Sequence, residues 1–300
     1  MKILFITGSN GFLGSSIINY LFDNRLLNKV FALSRGLSAD SCKSMICNVS
    51  YEDFYSNTYK LSKSETGVLL HLAFARSHNT ESIIESIRLL EKVSLSAKNS
   101  GISTIINVSS QSVYSQYRDK AADESDLPEP QGLYGIAKYY SETYLEHFSR
   151  KFDIKIINLR LASLIGPGLD QRIIPRLINS AITEKQIKIT SNMEQFSFLH
   201  VNDAARMIAE ISLNADKANE LVYNVGTNEA YNLVEIVQII VRELKKADIY
   251  KPYVIIDKSS GKQFNNSLNL RKIERDFNLF AEISLERAIK LEIMRYLDAE

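Results

Sequence analysis

A doubly wound α/β fold built on a parallel sheet is predicted by three features of this 300-residue sequence. Six short apolar runs recur through its first half, longer helical patterns separate them, and a glycine-rich turn follows the first. The runs are Ile3–Thr7, Val30–Leu33, Ser44–Asn48, Val68–Leu72, Thr104–Ser109 and Lys155–Leu159. They are nearly continuous rather than alternating in polarity, as suits strands covered on both faces. Strands joined through helices make βαβ units, which sets them parallel.

The intervening elements follow in order. The turn after the first run opens a helix carrying Ile17, Ile18, Leu21 and Phe22. Tyr59-Lys60-Leu61-Ser62-Lys63, ahead of the fourth run, is expected to be a solvated helix face. Ile83, Ile87, Leu90 and Ala97 share one face of a helix, and Ile136, Tyr140, Tyr144 and Phe148 one face of another. Between them Asp119–Gly132, with Pro128 and Pro130, is the most loop-like stretch. After Gly166-Pro167-Gly168 the rhythm loosens. Helices are expected at Ile173–Thr183 and Asp203–Leu213, with a short strand at Ile187–Ile189. Asn232 with Glu235 caps a further amphipathic helix, and a last one starts at Ser284. The boundary therefore falls near residue 165, dividing a sheet domain at 1–165 from a smaller α+β region at 166–300, probable neighbours in an interleaved arrangement.

Composition excludes several classes. Apolar residues form 45% and charged residues 24% of the chain, enough for a full core and incompatible with disorder. Lys plus Arg (36) balance Asp plus Glu (35) to a net +1, so no basic field invites nucleic acid or an anionic membrane. Cys42 and Cys47 are too few for a disulfide framework, which fits a reducing cytoplasm. The histidines His71, His78, His147 and His200 are scattered, and no metal site is indicated. The start MKILFITGSNGFLG has no secretory pattern, and no stretch reaches membrane-spanning length. A cytoplasmic location is expected.

Three of the chain's 12 glycines fall in the turn Gly8-Ser9-Asn10-Gly11-Phe12-Leu13-Gly14. Without Cβ atoms such a turn bends tightly, and the helix behind it aims free N–H groups at a pyrophosphate. A dinucleotide cofactor is the expected ligand. The second strand closes with Ser34 and Arg35 and has no carboxylate to receive a ribose 2′-hydroxyl. A guanidinium there pairs with a 2′-phosphate, which favours NADP over NAD.

Tyr134 and Lys138 stand four apart, on one face of a helix. A neighbouring ammonium stabilises a phenolate and so makes the phenol a usable acid–base group. Tyr59 and Lys63 repeat the spacing, but they precede the fourth run, whereas Tyr134 follows the fifth. Catalytic groups in such sheets gather at strand carboxyl ends. The fifth run ends Ser109-Ser110-Gln111-Ser112-Val113-Tyr114, placing hydroxyls where they could bind a carbonyl oxygen.

With Thr7–Gly14, His71-Leu72-Ala73, Ser109–Tyr114 and Tyr134–Lys138 in this order, the chain resembles the extended short-chain dehydrogenase/reductase family. This is also called the NAD-dependent epimerase/dehydratase, or nucleotide-sugar-modifying, family. Arg160, Gly166-Pro167, Phe198–Asp203 and Tyr223–Gly226 extend the likeness over most of the chain. The resemblance implies a Rossmann-type cofactor domain at 1–165 and a substrate-binding region at 166–300 that closes over a nucleoside-diphosphate sugar. It implies Tyr134 as acid–base group, Lys138 as its partner and Ser110 as the carbonyl's hydrogen bonder. Gly8, Gly11 and Gly14 would cradle the pyrophosphate, Asn48 and Val49 would edge the adenine, and Leu72 and Ala73 would line the cofactor cleft. It also implies a homodimer joined through helices near 83–98 and 134–149.

Departures from the family pattern narrow the activity. Dehydratases of the family usually carry Asp-Glu after the strand-five hydroxyl; here Gln111 and Ser112 stand there, and neither exchanges a proton readily. Phe196 replaces the usual diphosphate-gripping arginine, Ser163 an asparagine, Asn269 an aspartate and Asn48 an adenine-binding aspartate. Arg172, Arg176 or Lys258 are the candidates to supply diphosphate contacts instead, and nothing in the sequence assigns them. Three readings remain: NADPH-dependent C4 reduction of a 4-keto-6-deoxyhexose on a nucleoside diphosphate, C4 epimerisation with retained NAD(P), and a non-enzymatic NADP-binding role. The intact Tyr134–Lys138 pair opposes the last. A small-ketone or aldehyde reductase is a further enzymatic variant.

Overall fold

Apolar residues of each central strand divide between two layers of helices, which explains why the runs are unbroken. The computed structural model describes residues 1–26, 29–35, 41–43, 45–56, 58–76, 79–191, 194–248, 252–258 and 264–298. The first half runs β1 (Lys2–Thr7), α1 (Phe12–Asp23), β2 (Val30–Ser34), β3 (Ser41–Lys43), β4 (Ile46–Ser50), α2 (Tyr51–Tyr55), β5 (Thr66–His71), α3 (Thr80–Asn99), β6 (Thr104–Ser110), α4 (Leu133–Phe152) and β7 (Lys155–Leu161). The second half runs β8 (Ser163–Ile165), α5 (Ile173–Thr183), β9 (Gln186–Ser191), β10 (Glu194–Gln195), β11 (Phe198–His200), α6 (Val201–Leu213), β12 (Val222–Val225), α7 (Leu233–Lys246), β13 (Tyr253–Lys258), β14 (Phe264–Asn265), α8 (Arg271–Phe277) and α9 (Leu285–Leu297).

The main sheet has the order β12-β7-β6-β5-β1-β2-β4-β3, parallel throughout except for the edge strand β3. Leu4 and Ile6 face one layer, where Ile17 and Leu21 of α1 meet Ala204, Ala205 and Ile208 of α6. Ile3 and Phe5 face the other, against Phe54 of α2, Leu90 and Val93 of α3, and Leu145 and Phe148 of α4. The expected doubly wound α/β class is the one observed. Chain direction across the sheet reverses at β1, whose neighbours are β2 and β5, so the crevice opens beyond the carboxyl ends of these strands.

Part of the second half returns to this sheet. β12 pairs with β7, and α6 covers the same face as α1. The remainder packs a separate core from α5, α7, α9 and β9. Among described residues, no helix is long and apolar enough to cross a membrane.

Three expectations need correction. Residues 58–65 form irregular chain and a turn rather than a helix, and the Tyr59 ring packs 4.9 Å from that of Phe31. The apolar stripe of α4 faces the core only at its far end: Ile136 and Tyr140 are 53% and 43% exposed, whereas Phe148 is buried and Tyr144 packs against the same core. Gly135, Ala137, Lys138, Ser141, Glu142, Leu145 and Phe148 are buried. The third strand lies two residues later than expected, at Ile46–Ser50; Ser44 and His78 lie outside the described residues. Cys47, which stands opposite Cys42 in the β3–β4 register, is disulfide-bonded.

The inward face of α4 is held by polar contacts. Arg160 on β7 donates to both oxygens of Glu142, at 3.1 and 2.8 Å, with both residues at most 5% exposed. Ser109 donates to the same carboxylate. Buried pairs of this kind cost several kcal/mol to break, because one charge is left without its partner. Glu142→Gln is therefore expected to lower unfolding free energy by about 3 kcal/mol or more. Urea denaturation reads this directly, and a loss below about 1 kcal/mol would show the pair to be dispensable.

Candidate functional site

At the carboxyl end of β1, Thr7 ties the glycine turn to the end of β5. Its hydroxyl oxygen accepts the backbone N–H groups of Leu72 and Ala73, at 3.1 and 3.2 Å. The hydroxyl lies 2.9 Å from Nδ1 of His71. With two donors already on that oxygen, the hydroxyl proton points to Nδ1 and the imidazole proton belongs on Nε2. Burial holds His71 at about 3, so the ring is neutral.

The turn fits a dinucleotide. Helix α1 starts at Gly11 without a side-chain cap, leaving its first N–H groups available to an anion. A Cβ on Gly14 would sit 2.2 Å from the Gly8 carbonyl oxygen, so the helix meets the turn only as glycine. Asn10 is exposed, while Phe12 and Leu13 are half-buried at the start of α1. On the β2 side, Ser34 is buried and its hydroxyl has no partner among described residues, while the next residue, Arg35, is exposed. Both features suit a phosphate at this strand end. Tyr51, which the sequence reading passed over, accepts the Gly8 N–H at 3.3 Å, and Arg35 favours its phenolate against the effect of burial. Val49 is buried and Asn48 half-buried on β4.

The second group of residues lies at the end of β6. Gly135 allows α4 to rest on the turn after this strand: a Cβ there would lie 2.2 Å from the Ser112 carbonyl oxygen. Tyr134 is thereby brought to Ser110, whose hydrogen bond favours the phenolate. Burial has the larger effect and raises the phenol, so Tyr134 holds its proton near neutral pH. Lys138, one turn along α4, gives a 2.7 Å hydrogen bond to the Val108 carbonyl. Burial lowers its ammonium to about 7, opposed by Glu142. Ser110, Tyr134 and Lys138 thus form one cluster, with Lys138 Nζ 5.8 Å from the Tyr134 ring centroid.

Two further members of this cluster come from the segment after His71-Leu72-Ala73. Phe74 lies edge-on to Tyr134 at 6.1 Å and 4.0 Å from Lys138 Nζ. Arg76 holds its guanidinium 5.7 Å from the Tyr134 ring centroid. The available signal was position alone: both residues immediately follow a strand whose carboxyl end borders the crevice.

The residues at the sequence departures take up contacts of their own, although the buried Gln111 Oε1 has no partner among described residues. Gln111 is buried and donates to Ser163 at 2.9 Å, so two of the replacements hold each other. Phe196 stacks with Phe198 and packs 5.1 Å from Phe264, forming an aromatic cluster. Asn269 donates to Asp123 at 2.9 Å and accepts from the Arg271 N–H. Arg176 lines a polar cavity of roughly 580 Å³ with Asp170, Glu184 and Arg295; this cavity shares no lining residue with the Tyr134 cluster. Arg172 precedes α5 as its N-cap, and the Lys258 side chain lies outside the described residues. Among described residues no three His, Cys, Asp or Glu side chains are grouped to hold a metal ion.

Residues 4–226 match the NAD dependent epimerase/dehydratase family. The dTDP-4-dehydro-6-deoxyglucose reductase of Escherichia coli is 26% identical over 266 residues, covering 80% of this chain and 81% of that protein. The fold is similar to that of the UDP-N-acetylglucosamine 4-epimerase from Bacillus cereus, with a TM-score of 0.80 and 20% identity over 98% of this chain and 96% of the other. It is also similar to the UDP-glucuronic acid 4-epimerase from Bacillus cereus in complex with UDP-glucuronic acid and NAD. That TM-score is 0.78, at 19% identity over 100% of each chain.

Lys138 gives the site a measurable pH signature. Between about 7 and the ordinary value of 10.5, the folded protein leaves this amine unprotonated while the unfolded chain protonates it. The unfolded state binds more protons there, so the Lys138 contribution raises stability as pH increases through that window. Below about 7 both states carry the proton, and the burial cost is present in full. Relative to Lys138→Met, the cofactor-free wild type should gain on the order of 1 kcal/mol per pH unit across the window. Parallel denaturation curves would show a constant difference instead if burial did not act on this lysine.

Proposed function

This chain belongs to the NAD dependent epimerase/dehydratase family, and from that membership we propose an NADPH-dependent reductase of a 4-keto-6-deoxyhexose carried on a nucleoside diphosphate. It is an enzyme of the extended short-chain dehydrogenase/reductase type. The observation that carries the reductase reading is the pairing of Gln111 with Ser163 beside an intact Ser110–Tyr134–Lys138 cluster. An amide locked to a hydroxyl offers no acid or base for removing water, whereas a carbonyl reduction needs only one proton donor. Similarity to the reductase from Escherichia coli supports the same choice.

In this reading residues 166–300 bind the sugar nucleotide over the Rossmann-type domain at 1–165. Gly8, Asn10, Gly11, Phe12 and Leu13 hold the pyrophosphate end of the cofactor; Asn48 and Val49 border its adenine; Leu72 and Ala73 line the cleft; and Ser34 and Arg35 receive a 2′-phosphate. Bound NADPH supplies a hydride to the C4 carbonyl carbon. Ser110 holds the carbonyl oxygen, and Tyr134 gives that oxygen its proton, producing the alcohol. Burial keeps this proton on Tyr134 beforehand, as an acid requires. Lys138 steadies the resulting phenolate. Two copies joined through the outward faces of α3 and α4 form the proposed dimer, where Ile84, Leu95, Ile136 and Tyr140 are exposed.

C4 epimerisation is the alternative, and the fold similarity to 4-epimerases makes it worth separating. It returns the hydride to the sugar and consumes no reduced cofactor.

The test is the loss of NADPH absorbance with dTDP-4-keto-6-deoxyglucose and its UDP and GDP counterparts. One NADPH oxidised per sugar reduced is expected; a changed sugar with no NADPH loss would replace the reductase with an epimerase. Tyr134→Phe should reduce turnover by about 10²-fold or more while cofactor affinity stays nearly unchanged. Wild-type turnover in that variant would remove Tyr134 from the role. Arg35→Ala should weaken NADPH about tenfold or more and NADH little. Equal losses for both would mean that Arg35 does not read the 2′-phosphate.

A further inference from the structure

Two cations flank the Tyr134 ring at nearly equal distances, 5.7 Å for the Arg76 guanidinium and 5.8 Å for Lys138 Nζ. Their surroundings differ. Lys138 is buried, spends a hydrogen bond on the Val108 carbonyl and lies against the face of Phe74. Burial brings its ammonium to about 7, so near neutral pH its charge is only partly present. Arg76 comes from the segment after β5 and is exposed on one side. Burial lowers it, but from a value so high that it stays charged at any physiological pH.

The other groups around the phenol do not replace that charge. Ser110, at the end of β6, is neutral, and Phe74 meets the ring edge-on. His71, which lies within range of the Lys138 charge, is held neutral by burial. Glu142 on α4 acts on Lys138. Among described residues no carboxylate forms an ion pair with Arg76, so its charge is not spent elsewhere.

We propose that Arg76 is a positioning residue of this site, whose guanidinium stabilises the phenolate that Tyr134 becomes on giving up its proton. The proposal rests on Tyr134 being the acid–base group of the reductase reading. Lys138 then serves from within the helix, while Arg76 supplies the charge that does not titrate. The proton lost by Tyr134 goes to the substrate oxygen; Arg76 gives up none.

Ionisation of Tyr134 can be read without turnover, as the ultraviolet phenolate step present in the wild-type protein and missing from Tyr134→Phe. Arg76→Met is expected to move that step upward by about one pH unit, a tenfold loss of phenolate at a fixed pH below the midpoint. Arg76→Lys, which restores a positive charge, should return most of the shift, and Arg76→Gln serves where the methionine variant fails to fold. An unchanged midpoint in Arg76→Met or Arg76→Gln overturns the proposal, as does the absence of a Tyr134 step before the fold is lost. Because no substrate is involved, a shifted step alongside absent NADPH oxidation would leave Arg76 in place and defeat the reductase reading alone.

Discussion

A rung of buried polar side chains crosses the centre of the sheet, and the placement of the site depends on it. Thr7, His71, Asn107 and Asn158 are register partners on β1, β5, β6 and β7, and all are at most 1% exposed. Buried polar groups are costly unless paired, and here the pairing falls into two sets, with His71 Nε2 and Asn107 Oδ1 left without a partner among described residues. Thr7 meets His71, and Asn107 donates to Asn158 at 2.9 Å and to Ser141 of α4 at 3.1 Å. The rung therefore sets both the height of the glycine turn, through Thr7, and the height of α4, through Ser141. One helical turn before Ser141 stands Lys138, and Tyr134 is one turn earlier still. Glu142 then fastens the same helix to β7 through Arg160. A shift of α4 along its axis would break the Asn107–Ser141 and Arg160–Glu142 contacts together, which is how a helix can hold groups in place.

The same polar packing explains what the sequence showed and what it concealed. The strands were legible because both faces of the sheet are covered and their apolar runs are unbroken. Helix α4 misled for the complementary reason. The first three turns of its inner face are built from glycine, alanine, lysine, serine and glutamate, before Leu145 and Phe148 reach the core, while Ile136 and Tyr140 point outward. A periodicity rule locates the face that is greasy, which in the first half of this helix is not the face that is buried. Strand β12 was quoted only as a motif, since its position beside β7 is decided by a long return of the chain. The Tyr59–Lys63 segment had the spacing of a helical pair and no helix, because spacing says nothing where tertiary packing of Tyr59 on Phe31 decides the backbone.

In the site, motifs located residues whose chemistry is carried by type and spacing: the glycines, Ser110, Tyr134 and Lys138. They did not locate Phe74, Arg76 and Tyr51, which reach the turn and the cluster only through position. No spacing pairs them with Ser110, Tyr134 or Lys138. Each lies just beyond a strand, after β5 or after β4, and is brought to its place by the ends of neighbouring strands. Distances between such residues exist only once the sheet order is known.

The pairing of Gln111 with Ser163 bears on how the replacements should be read. Taken singly, each looks like the loss of a family feature. Together they form a buried donor–acceptor contact between the turn after β6 and the strand β8. Phe196 behaves similarly, since its ring is accommodated by Phe198 and Phe264 rather than left as an orphan at a polar site. Such contacts tie the replaced positions into the surrounding packing rather than leaving gaps there. Beside them stand a hydroxyl, Ser110, and a buried phenol that keeps its proton, Tyr134, while the Gln111 amide is neither an acid nor a base. On the reading proposed above, that set matches a reduction, which needs one proton donor, better than an elimination, which needs a second acid–base pair.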